Sequence, residues 1–153
     1  MILFFKKSSQ KENCASDQIF SPQFRGVFSL THLTKLRELD IGWCSGVDAN
    51  SGCFVALVSS CKQLEKLFLS AQRQLSDRDI NAVRENLFST LSKLNIMGTR
   101  NISTGSVMSL AREATNLKLL DIGYCEQLED GQFLTQLKAL VPDCHIVSSF
   151  YFE

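Results

Sequence analysis

Neither sign of charge is in excess in this chain: 16 Lys and Arg offset 16 Asp and Glu over 153 residues, a formal net charge of +0. So even a balance lacks the electrostatic footprint of a nucleic-acid binder and gives no general attraction to anionic membranes. No apolar run approaches the roughly 20 residues of a membrane-spanning helix, so no membrane insertion is expected. With 8 Gly and 2 Pro, collagen-like and linker-dominated architectures are excluded. Histidine is scarce, with His32 and His145 alone, which thins histidine-based catalysis. None of the six cysteines (Cys14, Cys44, Cys53, Cys61, Cys125 and Cys144) stands in a CxxC pair, so zinc-ribbon and thioredoxin spacings are missing. The opening MILFFKK is apolar for only five residues, short of the roughly 7–15 of a signal h-region. The cysteines therefore read as reduced thiols of a cytosolic or nuclear protein.

What is present is a globular composition, 44% hydrophobic and 21% charged, at the size of one ordinary domain. Four segments repeat: LRELDIGWCSGV from Leu36, LEKLFLSAQRQL from Leu64, LSKLNIMGTRNI from Leu91 and LKLLDIGYCEQL from Leu117. Their starts lie 28, 27 and 26 residues apart. The spacing L-x-x-L-x-(L/I) predicts a short strand with its fourth and sixth residues on one face, followed by a turn and a further apolar plug at Val47, Leu75, Ile102 or Leu128. Helical stripes follow: Ile80, Val83 and Leu87; Val107, Leu110, Ala111 and Ala114; Phe133, Leu134, Leu137, Leu140 and Val141. Start signals precede them at Ser76 with Asp79, at Ser103 or Thr104, and at Asp130. A period of this length, with strand and helix in each unit, is the leucine-rich-repeat pattern. The fold predicted is α/β, a short right-handed solenoid arc of about four repeats plus a terminal cap strand. Residues 1–18, polar from Lys6, read as a loose tail, and 19–153 as the repeat domain.

The ninth repeat position holds Cys44, Gln72, Thr99 and Cys125, expected inside the turn near backbone amides, as structural rather than reactive groups. The outward strand positions should line a continuous concave face. Its candidate protein-binding residues are Glu38, Asp40, Lys66, Phe68, Lys93, Asn95, Met97, Leu119 and Asp121. Phe68 is the informative one, an aromatic between Asp40 and Asn95 on a solvent-facing strand. With Met97 it forms a small apolar patch flanked by charge, of the kind found at protein contacts. Burial under the N-terminal segment or the tail SSFYFE is the alternative for Phe68. Trp43 and Tyr124 read as packed against the turn. Phe150, Tyr151 and Phe152 read as a cap on the last coil, and Phe20, Phe24, Val27, Phe28 and Leu30 as a cap on the first or the remnant of a preceding repeat.

LRELDIGWC, SGCFVAL, LEKLFLSAQRQLSDRDI, LNIMGTRNIS and LKLLDIGYC together resemble the cysteine-type repeats of the F-box/leucine-rich-repeat family, from about Leu33 to the C-terminus. Members of that family are substrate receptors of Skp1–cullin–F-box ubiquitin ligases. The resemblance implies a protein-interaction module that contributes target binding to ubiquitin-dependent degradation, in the cytoplasm, nucleus or in association with mitochondria. The stretch up to about Phe28 shows no Leu-Pro-centred helical pattern of an F-box. Contact with Skp1 or a cullin is therefore expected only through an F-box missing from this chain. A stand-alone repeat scaffold or competitor, and a non-functional fragment, are the alternatives.

No enzyme pattern competes. GxSxG, GxGxxG, Walker A and HExxH are all missing. Asp77 and Asp79 read as helix-start residues. Glu126, Glu129 and Asp130 lack the spacing of a calcium loop. No catalytic residue, cofactor or metal site is predicted, and a protein target is the expected partner.

Overall fold

The computed structural model describes residues 2–4, 30–43 and 52–149. Five short strands follow the repeat: β2 (Glu38–Asp40), β3 (Lys66–Phe68), β4 (Lys93–Asn95), β5 (Leu119–Asp121) and β6 (His145–Val147). A sixth, β1 (Ile2–Phe4), joins ahead of them. All pair in parallel, in chain order. Helices α1 (Cys53–Ser60), α2 (Asp77–Leu87), α3 (Thr104–Glu113) and α4 (Gly131–Leu140) lie between the strands from β2 onward, each against the next. This is an α/β arrangement of leucine-rich-repeat type, four coils closed by β6.

The register follows from the leucine spacing. Leu39, Leu67, Leu94 and Leu120 are successive Cα partners, followed by Ile146. With the first-position residues Leu36, Leu64, Leu91 and Leu117 and the sixth-position Ile41, Leu69, Ile96 and Ile122, they are buried in one core. The plugs Leu75, Ile102 and Leu128 are buried as well. From the helix side, Ile80, Val83, Leu87, Val107, Leu110, Ala111, Phe133, Leu134 and Leu137 close the same interior. One coil cannot enclose these chains alone; stacking lets each coil cover its neighbour. Backbone bonds repeat with the coil. The carbonyl of Arg37 accepts from the amides of Glu65 and Lys66, that of Glu65 from Ser92 and Lys93, and that of Ser92 from Lys118 and Leu119.

The helix starts fall where the sequence marks them. The Ser103 hydroxyl accepts from Ser106 N, and the Asp130 carboxylate accepts from Gln132 N and Phe133 N. At α2, the amide and hydroxyl of Ser76 both donate to Asp79 Oδ2, at 3.0 and 2.9 Å. Asp77 serves the next coil, accepting from Ser103 N at 2.7 Å. Burial pushes its carboxyl up, but this bond and the hydroxyls of Ser106 and Ser103 outweigh that and hold it below its ordinary range.

One feature differs from the sequence reading. Ile2–Phe4 is a strand beside β2, so these three residues belong to the sheet and not to a loose tail; an apolar ILF triplet meets an open parallel edge, which offers unpaired backbone groups. Helix α1 takes the helical half that the repeat predicts for the first coil, with Cys53, Phe54, Leu57 and Val58 buried over its 8 residues. Val47, Cys44, the Phe20–Phe28 group, the rest of the 1–18 segment and the Phe150–Phe152 tail lie outside the described residues.

Candidate concave face and its rim

The strand face is built of two outward columns. In the third repeat position stand Glu38, Lys66, Lys93 and Leu119, in register. Lys66 Nζ reaches Glu38 Oε2 at 2.8 Å across neighbouring strands, and Glu38 is largely buried. Lys93, next in the column, makes no ion pair among the described residues.

The fifth column is Asp40, Phe68, Asn95 and Asp121. The structure gives its polar members work within the turn. Asp40 Oδ1 accepts from Gly42 N (2.9 Å), Asn95 Oδ1 from Met97 N (3.0 Å), and Asp121 Oδ1 from Gly123 N (3.0 Å). Each ties the strand end to the residue two further on, an Asx turn. Two of these turns are closed on glycine, where a Cβ would be tight: one on Gly42 would lie 3.1 Å from Asp40 Oδ1, and one on Gly123 3.2 Å from Asp121 Oδ1. The column is also bonded along its length, Ser70 Oγ donating to Asn95 Oδ1 at 2.8 Å and Asn95 Nδ2 to Asp121 Oδ2 at 2.9 Å. Phe68 carries no oxygen for such a turn and sits half-buried between Asp40 and Asn95. Met97 is half-buried as well. Of the nine face residues, the structure thus brings all into two neighbouring columns or the turn above them, and it engages Asp40, Asn95 and Asp121 in the turns.

The eighth position corrects the sequence reading. Trp43 and Tyr124 do not fold onto the turn; they are 61% and 73% exposed. The reason is backbone conformation. Trp43, Ala71, Gly98 and Tyr124 have φ of 63°, 58°, 71° and 56°, the left-handed region, while their amides bond to the next coil, as in Trp43 N to Ser70 O at 2.8 Å and Gly98 N to Gly123 O at 2.9 Å. The signal was available: one position holding tryptophan, alanine, glycine and tyrosine in four coils is not the record of a packed site, which would keep one volume.

The ninth position is structural: its described side chains bond to backbone groups inside the turn, to carbonyls and, at Cys125, also to the amides of Gly98 and Thr99. Gln72 Nε2 donates to Ile41 O of the preceding coil at 2.6 Å. Thr99 Oγ1 donates to Ile96 O at 2.8 Å, and Cys125 Sγ reaches the same carbonyl at 3.2 Å. Burial pushes the Cys125 thiol up, ahead of all opposing bonds, and does the same to Cys61. Both are therefore poor nucleophiles. Alkylation of Cys61 and Cys125 by N-ethylmaleimide, followed by peptide mass, is expected to be slower by on the order of a hundredfold in the native chain than in urea. Equal rates would place these thiols at the surface.

On the opposite, helical side, a cleft of about 480 Å³ between α3 and α4 is lined by Thr104, Met108, Arg112, Asp130 and Gln136 among others. It shares no residue with the strand face.

No family model matches the chain. It is similar to F-box/LRR-repeat protein 4 of Bos taurus, 43% identical over 51 residues, which is 33% of this chain and 8% of that protein. It is also similar to lysine-specific demethylase 2A of Xenopus tropicalis, 32% identical over 117 residues, 72% of this chain and 10% of that one. The chain spans a tenth or less of the length of these curated relatives. The two partial matches support a relationship to proteins of F-box/LRR type over a limited stretch. Among solved structures, "Leiomodin-1 Actin-Binding Site 2 (ABS2)" matches with a TM-score of 0.66 at 14% identity, covering 85% of this chain and 81% of that chain. The tropomodulin C-terminal domain of Caenorhabditis elegans matches with a TM-score of 0.60 at 14% identity, covering 83% and 84%. At such identity the likeness is one of fold.

Proposed function

We propose that this chain is a protein-interaction repeat domain whose strand face holds a polypeptide target, in the manner of the substrate-recognition repeats of a Skp1–cullin–F-box ubiquitin ligase. The observation that carries the reading is Phe68. Three coils place Asp or Asn at the fifth position and use it to close the turn. The second coil gives up that bond for an aromatic ring which the interior does not need and only half covers. A ring so placed, beside Met97 and between charged columns, suits contact with another protein. The partial likeness to F-box/LRR-repeat protein 4 supports the ligase setting. In this reading the chain itself does no chemistry; it works in the cytoplasm or nucleus, and any link to Skp1 and a cullin runs through an F-box carried elsewhere.

The test is recovery of partners from cell extract on immobilised chain, comparing wild type, Phe68→Ala and the helix-side control Gln136→Glu, followed by titration of the recovered partner. Phe68→Ala is expected to weaken binding by about 1–3 kcal/mol with a nearly unchanged thermal midpoint, and Gln136→Glu to bind as wild type. Unchanged affinity with lost stability would return Phe68 to a packing role. For the ligase setting, depletion of this protein from cells should raise the partner's abundance, whereas constant abundance would favour a scaffold.

A further inference from the structure

The turns above the strands carry a second row, which the strand-face reading leaves without a role. Non-glycine residues are strained in the left-handed region, where the Cβ crowds the backbone. Glycine would serve at every eighth position, and does so at Gly98. Yet the chain spends its one tryptophan and one of its two tyrosines there, both turned to solvent. Between them lie Ala71 and Gly98, so two aromatic walls stand at the ends of a low floor. Three strand spacings of about 4.8 Å separate the walls by roughly 14 Å, a span that about four residues of extended peptide cover.

Two residues beyond Ala71 and Gly98, Arg73 and Arg100 occupy the same place in neighbouring coils, and both are exposed. The two coils are joined there by Ala71 N donating to Met97 O at 2.7 Å and by the Asn101 side-chain Nδ2 donating to Arg73 O at 2.9 Å. Neither arginine has a carboxylate within ion-pair distance among the described residues. Like charges one coil apart repel each other, through water that screens them only in part. Glu126, in the corresponding place one coil further on, is exposed and ends the cationic stretch.

We propose that this rim binds an extended acidic segment of a partner protein, its carboxylates on Arg73 and Arg100 and its apolar side chains on the floor between Trp43 and Tyr124. The inference rests on the protein-binding reading above and adds a contact outside the strand face. The occupant is set by charge: the two unpaired guanidinium groups suit carboxylates in bidentate contact, and the aromatic walls suit apolar side chains beside them. Glu126 repels the same segment, so its acidic residues lie over the second and third coils.

The experiment pans a displayed library of random twelve-residue peptides on the whole chain, then titrates the enriched peptides against wild type and variants. Enriched sequences are expected to be rich in Asp and Glu, with binding that weakens as salt rises. Affinity should fall roughly tenfold or more for Arg73→Glu with Arg100→Glu, and comparably for Trp43→Gly with Tyr124→Gly. The glycine pair should not lower the thermal midpoint, because glycine relieves the left-handed backbone; that separates loss of contact from loss of fold. Neutral or basic enriched sequences, or acidic ones that bind both pairs of variants as they bind wild type, would overturn the rim. Peptides that ignore the rim variants but are lost with Phe68→Ala would overturn it too, while leaving the strand-face reading standing. A library that yields no binder also counts against the rim, and the strand-face reading is then judged by the recovery experiment alone.

Discussion

Leu94→Ala is expected to lower stability by about 2–5 kcal/mol in urea denaturation followed by circular dichroism. Leu94 is fully buried at the centre of β4, with Leu67 and Leu120 as its partners on the two sides. Deleting its branched end forfeits burial and leaves a cavity between two rungs. Neither rung can move in to fill it, because backbone bonds such as Leu69 N to Asn95 O (2.8 Å) and Ile96 N to Asp121 O (2.9 Å) fix the coil spacing. The same substitution of Ile146, only half-buried on the last strand, should cost less. A loss well under 1 kcal/mol at Leu94 would mean that the coils do not share a packed interior.

Phe54→Ala should cost as much or more, about 3–5 kcal/mol by the same measurement. Phe54 heads the fully buried side chains and sits in α1. That helix begins after Gly52, whose backbone is left-handed, with no side-chain cap, and runs only 8 residues. Such a helix has little intrinsic stability and holds by its buried face. Removing the ring should therefore loosen α1 as well as empty a cavity. Its amides should then exchange faster than those of α3, which keeps its Ser103 cap. Equal protection of both helices in Phe54→Ala would contradict this.

Most of the frame was legible because each coil repeats its own demand. Leucines three and then two residues apart suit a buried strand entry and nothing else at this period, and Ser76, Ser103 and Asp130 mark helix starts by chemistry local to the chain. The turns were less legible. That Gln72 and Cys125 find carbonyls of the preceding coil depends on how the coils stack. For Trp43 and Tyr124 the expected packing against the turn gives way to exposure at a left-handed backbone. The strand Ile2–Phe4 pairs with a segment more than thirty residues away, and no local pattern announces such a contact.

The central claim is that neighbouring coils lock into one interior and leave their outward face to hold another polypeptide. A double-mutant cycle on Leu67→Ala and Leu94→Ala, unfolded in urea singly and together, tests its physical basis most directly. Because the two leucines are partners on adjacent strands, the double variant should depart from the sum of the single losses by about 0.5–3 kcal/mol. Losses that add to within about 0.3 kcal/mol, as for sites that do not touch, would contradict the stacked interior.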